Sequence, residues 1–343
     1  MNISRNNHYI PQMYLSRWAK GGKVQVYRLL VSHANVPLWN QQSIEHTGSM
    51  PNLYVNILKD EEFDDIEHGF DALFESPAKA AFDKICNGEK MTSDDWDKIS
   101  DYTCAQYVRT PAFYLWVKEW GINHIPEQIN ELGEKLGKMK EIPMDSGPAS
   151  PETSLLPIGV RIIDEKPDEE HTYVEIEAIS GKGLWLFCIK HVLHKESLLR
   201  KYFQDLKWSV VTSPDGEQWP TCDNPVVICN VNGNKIKRAS AKSGLAGRMK
   251  AIIIPISPQV VLLAMSTRRY TWRFTADSSF AKDIKKAIIN NAMMYVYSID
   301  EDVSVPDIRA RIVDEKEFKR LKNDFDNWFV DYKEIEGPLL NRG

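Results

Sequence analysis

After the Gly21-Gly22 pair, the segment Lys23–Leu30 (KVQVYRLL) alternates polar and apolar residues and is rich in β-branched types, which predicts a half-buried strand. The period then lengthens. From Glu61 to Cys86 the residues Phe63, Ile66, Phe70, Leu73, Phe74, Phe82 and Ile85 recur at helical spacing, with Pro77 marking a break or a new first turn. A second helix opens with Ser93 as its cap and Asp94 and Asp95 in its first turn. It runs through Trp96, Ile99, Thr103 and Gln106 towards Trp120, with a kink expected at Pro111. Trp185–Phe203 reads as a third long helix. Short β-rich pieces follow at Trp208–Thr212, Val226–Asn230, Ala251–Ile256 and Gln259–Met265, then a helix at Ala281–Met293, a strand at Met294–Ser298 and an amphipathic helix at Glu315–Tyr332. Helices first and strands mostly later, without βαβ alternation, predict an α+β fold. Its helical N-terminal half packs with a mostly antiparallel or mixed sheet from the C-terminal half. Glu141–Glu170 is rich in Pro, Ser, Gly and acid and is read as a loop inserted at 141–170 in a single domain spanning 1–343.

Composition narrows the class. The chain has 343 residues, 43% hydrophobic and 27% charged, enough for a large core. Lys and Arg number 43 against 48 Asp and Glu, a net charge of -5, so no global field favours nucleic acid or an anionic membrane. The most basic stretch, Lys235 to Lys250, is read as a solvated loop. Five widely spaced cysteines without a CxxC pair speak against a disulfide framework and a structural zinc site. No signal-peptide pattern and no bilayer-length apolar run are present, and the expected location is cytoplasmic and reducing. GxGxxG, Walker, HExxH and GxSxG patterns are absent, which leaves dinucleotide, P-loop, zincin and α/β-hydrolase chemistry without support.

Candidate chemistry begins at Asn6–Trp18 (NNHYIPQMYLSRW), too dense in functional groups for an ordinary frayed terminus. On the first helix, at about 100° per residue, Phe63, Phe70 and Phe74 fall within about 60° of Glu67, while Asp71 and Glu75 step away. Only Glu67 is therefore expected to face inwards. On the second helix Gln106 lies in the middle of the apolar face and Arg109 beside Tyr102 and Phe113. A buried arginine needs an anion, either a carboxylate such as Glu67 or a ligand. Asp223-Asn224-Pro225 before Val226-Val227-Ile228 is a turn entering a strand, a common place for polar groups at a cleft. His191 and His194 share a helical face, but no further ligand lies nearby in sequence, so they are read as structural or solvent-facing.

These pieces occur in the order of a known family. HYIPQMYLSRWA resembles the HYVPQFYLRNF opening of a mostly bacterial family of domains of unknown function, number 4238 in that series. Asn52-Leu53-Tyr54 resembles its NFY, Glu67 and Glu75 its two helix glutamates, and QYVRTP (Gln106–Pro111) its Q…RTP. TCDNPV (Thr221–Val226) resembles TSDNPV, IPISPQV (Ile254–Val260) its apolar-Pro-x-Ser-Pro run, and Asn291 with Tyr297 its close. The resemblance implies one common fold and supplies no catalytic role. The chain departs from it at Cys222, where the family has Ser, and at Trp18, where it has Phe.

The polar members of these matches are expected to converge on one cleft. His8 is the candidate general acid or base. Glu67 or Asp223 would orient it or hold a divalent metal ion, Arg109 would bind an anionic group, and Gln12 and Asn224 would position substrate. That set suits hydrolysis or transfer at a phosphate ester, on a small molecule or a nucleic acid, with no membrane partner. The alternative is a non-catalytic ligand sensor or interaction module in which the same residues form a structural polar network pinning the N-terminal arm.

Overall fold

The structure is a computed structural model that describes residues 5–58, 61–137, 158–163, 173–178, 181–232, 235–239, 250–266 and 272–336. The fold is α+β, with the helices mostly in the first half and the main sheet in the second. That sheet runs, in spatial order, through Lys235–Arg238, Val227–Asn232, Lys250–Ser257, Val260–Met265, Lys207–Thr212 and Arg273–Thr275. Neighbours are antiparallel except for the last pair, which is parallel. A second sheet, Thr221–Cys222, Tyr295–Ser298, Lys23–Arg28 and Trp39–Ser43, joins strands from both halves of the chain.

Strand periodicity divides the apolar side chains. In Lys23–Arg28, Val24 and Val26 join the helices in one buried cluster, while Tyr27 points to the other face and a second cluster with Val296 and Trp39. The two strands Val260–Met265 and Lys250–Ser257 are buried on both faces, so they read as continuous apolar runs without alternation.

Several expected elements are divided where side-chain or backbone chemistry stops them. Glu61–Phe63 pairs as a strand with Asn56–Leu58, and the helix begins at Asp65. Pro77 does not break the chain: it follows a π-helical turn, Asp71–Glu75, and the backbone stays helical from Asp65 through Ser76–Asn87. Thr92, not Ser93, caps the next helix: it forms a capping box with Asp95 ahead of Ser93–Val108. Pro111 starts a separate helix, Pro111–Gly137, rather than kinking a continuous one. Trp185–Phe203 splits into Lys182–Leu193 and Leu198–Gln204, the latter capped by Ser197. Within the expected loop at 141–170, residues 158–163 form a strand paired with 173–178, and the rest lies outside the described residues. In the Lys235–Lys250 stretch, Lys242 and Arg248 lie outside them too, and Lys235 and Lys250 stand on strands of the main sheet. No helix among the described residues is long and apolar enough to cross a membrane.

Candidate functional site

The N-terminal arm is held by its main chain. Asn6–His8 pairs antiparallel with Ser49–Pro51, and the N–H groups of Tyr9 and Ile10 both donate to the Gly48 carbonyl, at 2.8 and 3.0 Å. Gly48 has φ 69°, and a Cβ there would lie 2.8 Å from the Ile10 Cβ. The tight approach therefore requires glycine. Tyr54 N–H donates to Asn7 Oδ1 at 3.1 Å, Gln106 Nε2 donates to the Tyr9 carbonyl at 2.9 Å, and Arg109 Nη2 donates to the His8 carbonyl.

Arg109 is 1% exposed. Its Nη1 donates to Glu75 Oε1 at 2.6 Å and its Nε to Tyr54 Oη at 3.4 Å, and the guanidinium lies over the Phe70 ring, 4.3 Å from the centroid. Glu75, expected to turn away, is thus the arginine's direct partner. The reason is local: Asp71–Glu75 is a turn of π-helix. An unbroken α-helix puts Glu75 about 80° round from Glu67, and the extra residue of a wide turn returns about 100°, so both carboxylates come to one side.

One guanidinium then faces two carboxylates. Burial pushes Glu67 up to about 7, the charge of Glu75 adding to it and that of Arg109 opposing it; a hydrogen bond with the His8 backbone also favours the ionised form. Glu67 Oε2 is buried without a hydrogen-bond partner. Burial opposes the Arg109 charge, but Tyr54, Glu75 and Glu67 outweigh it and hold the guanidinium protonated.

His8 itself is half-buried, with Nε2 3.1 Å from the Glu45 carbonyl and 3.4 Å from Gln12 Nε2. A carbonyl only accepts, so the Glu45 contact favours a proton on Nε2, whereas the Gln12 amide nitrogen, a donor, favours a bare one. Burial lowers the imidazole below its ordinary value; the Glu45 carbonyl resists this and the Arg109 charge adds to it.

Asp223 and Asn224 belong to a different set of contacts. The Asp223 carboxylate accepts from three successive N–H groups, Met293 at 2.7 Å, Met294 at 2.6 Å and Tyr295 at 3.1 Å. It ties the end of the helix Ser278–Asn291 to the strand Tyr295–Ser298. Burial pushes its carboxyl up to about 6, against those three donors. Asn224 Oδ1 lies 3.5 Å from Thr110 Oγ1, and its carbonyl accepts from Asn291 Nδ2 at 2.6 Å. No hydrogen bond or ion pair among the described residues joins either residue to His8, Glu67 or Arg109. Among the described residues the hydrogen bonds thus join His8 with Gln12 and Arg109, while Asp223 and Asn224 bond to the 291–295 segment. No group of three or more His, Cys, Asp or Glu among the described residues is arranged to hold a metal ion, and His191 and His194 are exposed.

A cavity of about 470 Å³ lies between the second sheet, the 46–52 loop and the helix Glu315–Asp331. Of the six expected site residues only Asp223 lines it, and Tyr9 of the arm forms part of its wall. Arg28 also lines it and was not singled out from the sequence. The signal was there: strand alternation puts Arg28 on the same face as Val24 and Val26, a cation on an apolar face.

The family described as a protein of unknown function (DUF4238) matches residues 6–302. The chain belongs to that family. Neither a curated protein nor a solved structure matches. The short DUF4238 motifs, scattered over nearly three hundred residues, meet at the arm. Tyr14 Oη donates to the Pro255 carbonyl at 2.6 Å and lies 2.7 Å from Thr221 Oγ1, joining the opening, the TCDNPV turn and the IPISPQV run. The NLY and QYVRTP segments meet where Tyr54 Oη donates to the Arg109 carbonyl at 2.8 Å. The two departures from the DUF4238 pattern are internal. Cys222 Sγ lies 3.1 Å from the Asn224 carbonyl, where a serine hydroxyl would donate equally, and Trp18 gains a bond from Nε1 to the Trp219 carbonyl at 2.9 Å.

Proposed function

We propose that this DUF4238 protein is a ligand-binding module in which the Arg109 network clasps the N-terminal arm, so that Tyr9 closes one wall of the cavity. The observation that carries the reading is the state of Arg109. It is 1% exposed, with its donors committed to Glu75, Tyr54 and the His8 main chain. A substrate phosphate would have to displace the half-buried Glu75 carboxylate to reach it, which is unfavourable. Asp223 is likewise committed to three backbone donors, and breaking those bonds would leave buried N–H groups unsatisfied.

A second reading rests on a separate observation. Glu67 has a buried oxygen without a partner and is raised to about 7 by burial, and it contacts the backbone of a half-buried histidine. That pair suits proton transfer, and so keeps an acid–base hydrolase or transferase, a nuclease included, as the alternative.

The two are separated by measuring thermal shifts of the full chain against a panel of nucleotides, organic acids and oligonucleotides, alongside turnover of 4-nitrophenyl phosphate and bis(4-nitrophenyl) phosphate. The binding reading expects a raised Tm with some panel members and no turnover. Turnover that disappears in Glu67→Gln and His8→Ala, both still folded, would replace it with the catalytic one.

A further inference from the structure

Resting on the binding reading, the cavity also carries information about what it takes. Its floor is one face of the second sheet. Val26 and Arg28 alternate onto it from one strand, and Tyr295 and Tyr297, paired in register with Arg28 and Val26, come from the next. Arg28 is half-buried there and has no ion pair or hydrogen bond among the described residues; its Nε is shielded from solvent with no acceptor. A guanidinium in that condition lacks the anion that such a group requires.

The opposite wall is the helix Glu315–Asp331. Phe318, Leu321, Phe325 and Phe329 follow at helical spacing and all line the cavity, yet Trp328 is the helix's buried residue. Phe325 and Phe329 pack against the main core on one side and border the cavity on the other, so the apolar stripe forms a wall of it. Lys322 stands at the same wall, and His46 contributes an imidazole from the loop. Against them are two carboxylates: Asp326 is exposed, and Asp223 is bound by three main-chain donors. Among the described residues the cavity therefore presents a half-buried cation without an anion, Arg28, and an exposed one at its rim, Lys322, beside an aromatic and thioether surface.

We propose that the cavity binds an amphipathic monoanion, its carboxylate, sulfonate or phosphodiester head on Arg28 and its apolar or flat aromatic body against Phe325, Phe329 and the Met293-Met294 pair. The volume, about 470 Å³, falls in the range of small-molecule sites. Arginine's planar fork suits such a head better than an ammonium would.

The test is isothermal titration calorimetry on the full chain with four probes: decanoate, naphthalene-2-sulfonate, the neutral 2-naphthalenemethanol, and sulfate alone. Both amphipathic anions bind one per chain, the neutral alcohol binds at least about tenfold more weakly, and sulfate does not saturate. Arg28→Gln weakens the two anions about tenfold or more and leaves the alcohol unchanged. Leu321→Trp, which fills the cavity from the other wall, abolishes binding of all three organic probes, with circular dichroism and Tm checking that each variant is folded. Absence of binding by both anions, equal affinity for the alcohol, or anion binding that survives both folded variants overturns the proposal. If panel ligands raise the Tm while these anions do not bind, the ligand class fails and the binding reading stands. Turnover lost in Glu67→Gln sinks the binding reading itself, whatever the calorimetry shows.

Discussion

Arg109 donates to the main-chain carbonyl of His8, so the arginine secures the arm's backbone and leaves the imidazole ring to other neighbours. The ring meets Glu45 and Gln12 at the half-buried rim, while the guanidinium is enclosed. The two residues are adjacent, and their adjacency is a matter of folding before it is one of chemistry.

Removing Arg109 should therefore unfold the arm and much more. Arg109→Ala leaves Glu75 and Glu67 near one another without their counter-charge and frees the His8 carbonyl, a loss of about 3–5 kcal/mol. His8→Ala removes a rim side chain and should cost under about 1 kcal/mol. Urea unfolding followed by tryptophan fluorescence compares them; equal midpoints for the two variants would refute the clasp.

Glu67 sets a pH dependence. Its folded-state value is raised to about 7 from an ordinary 4.5, so the native state holds a proton that the unfolded chain has lost between those limits. Stability from this group is present at acid pH and falls as pH rises from about 4.5 to 7, by on the order of 3 kcal/mol. His8, lowered by burial, works in the opposite sense just below its ordinary value of 6.5. Glu67→Gln should flatten the decline and be more stable than wild type at pH 8, as read from Tm across a pH series. A parallel decline in the variant would assign the effect elsewhere.

Gly48→Ala is the sharpest test of the arm's seat. The substitution meets both a positive φ of 69° and an Ile10 Cβ 2.8 Å away, and should cost about 2 kcal/mol or more. Hydrogen exchange at Tyr9 and Ile10, whose N–H groups share the Gly48 carbonyl, should accelerate before that of the main sheet. Unchanged protection there would mean that the arm does not depend on this contact.

Asp223→Ala strands three buried donors and should cost about 2–4 kcal/mol, with Asp223→Asn recovering part of it because its Oδ1 still accepts. Thermal denaturation of both variants measures the difference. A catalytic Asp223 would instead give two stable proteins with lost turnover.

The order of helices and strands, and with it the α+β class, was legible along the chain because periods of 2 and 3.6 residues record which face is buried. Gln106 and Arg109 were legible as inward-facing polar groups for the same reason. Element ends were less so, since a cap at Thr92 or a new start at Pro111 depends on local hydrogen bonds that several neighbours could supply. The π-turn at Asp71–Glu75 lay beyond an angular count that assumes one pitch throughout, and it brought Glu75 to the same side as Glu67.

By itself the sequence determined the family, the fold class, the set of polar groups that had to find partners, and the N-terminal stretch as a segment that something holds. Which partner each group found was decided only by the tertiary structure. Arg109 took Glu75 and a backbone carbonyl, Asp223 took three N–H groups some seventy residues later, and Arg28 was left facing a cavity. Periodicity reports burial along one element, whereas pairing is a competition among groups brought together from distant elements. Only the folded geometry shows which acceptor was within reach.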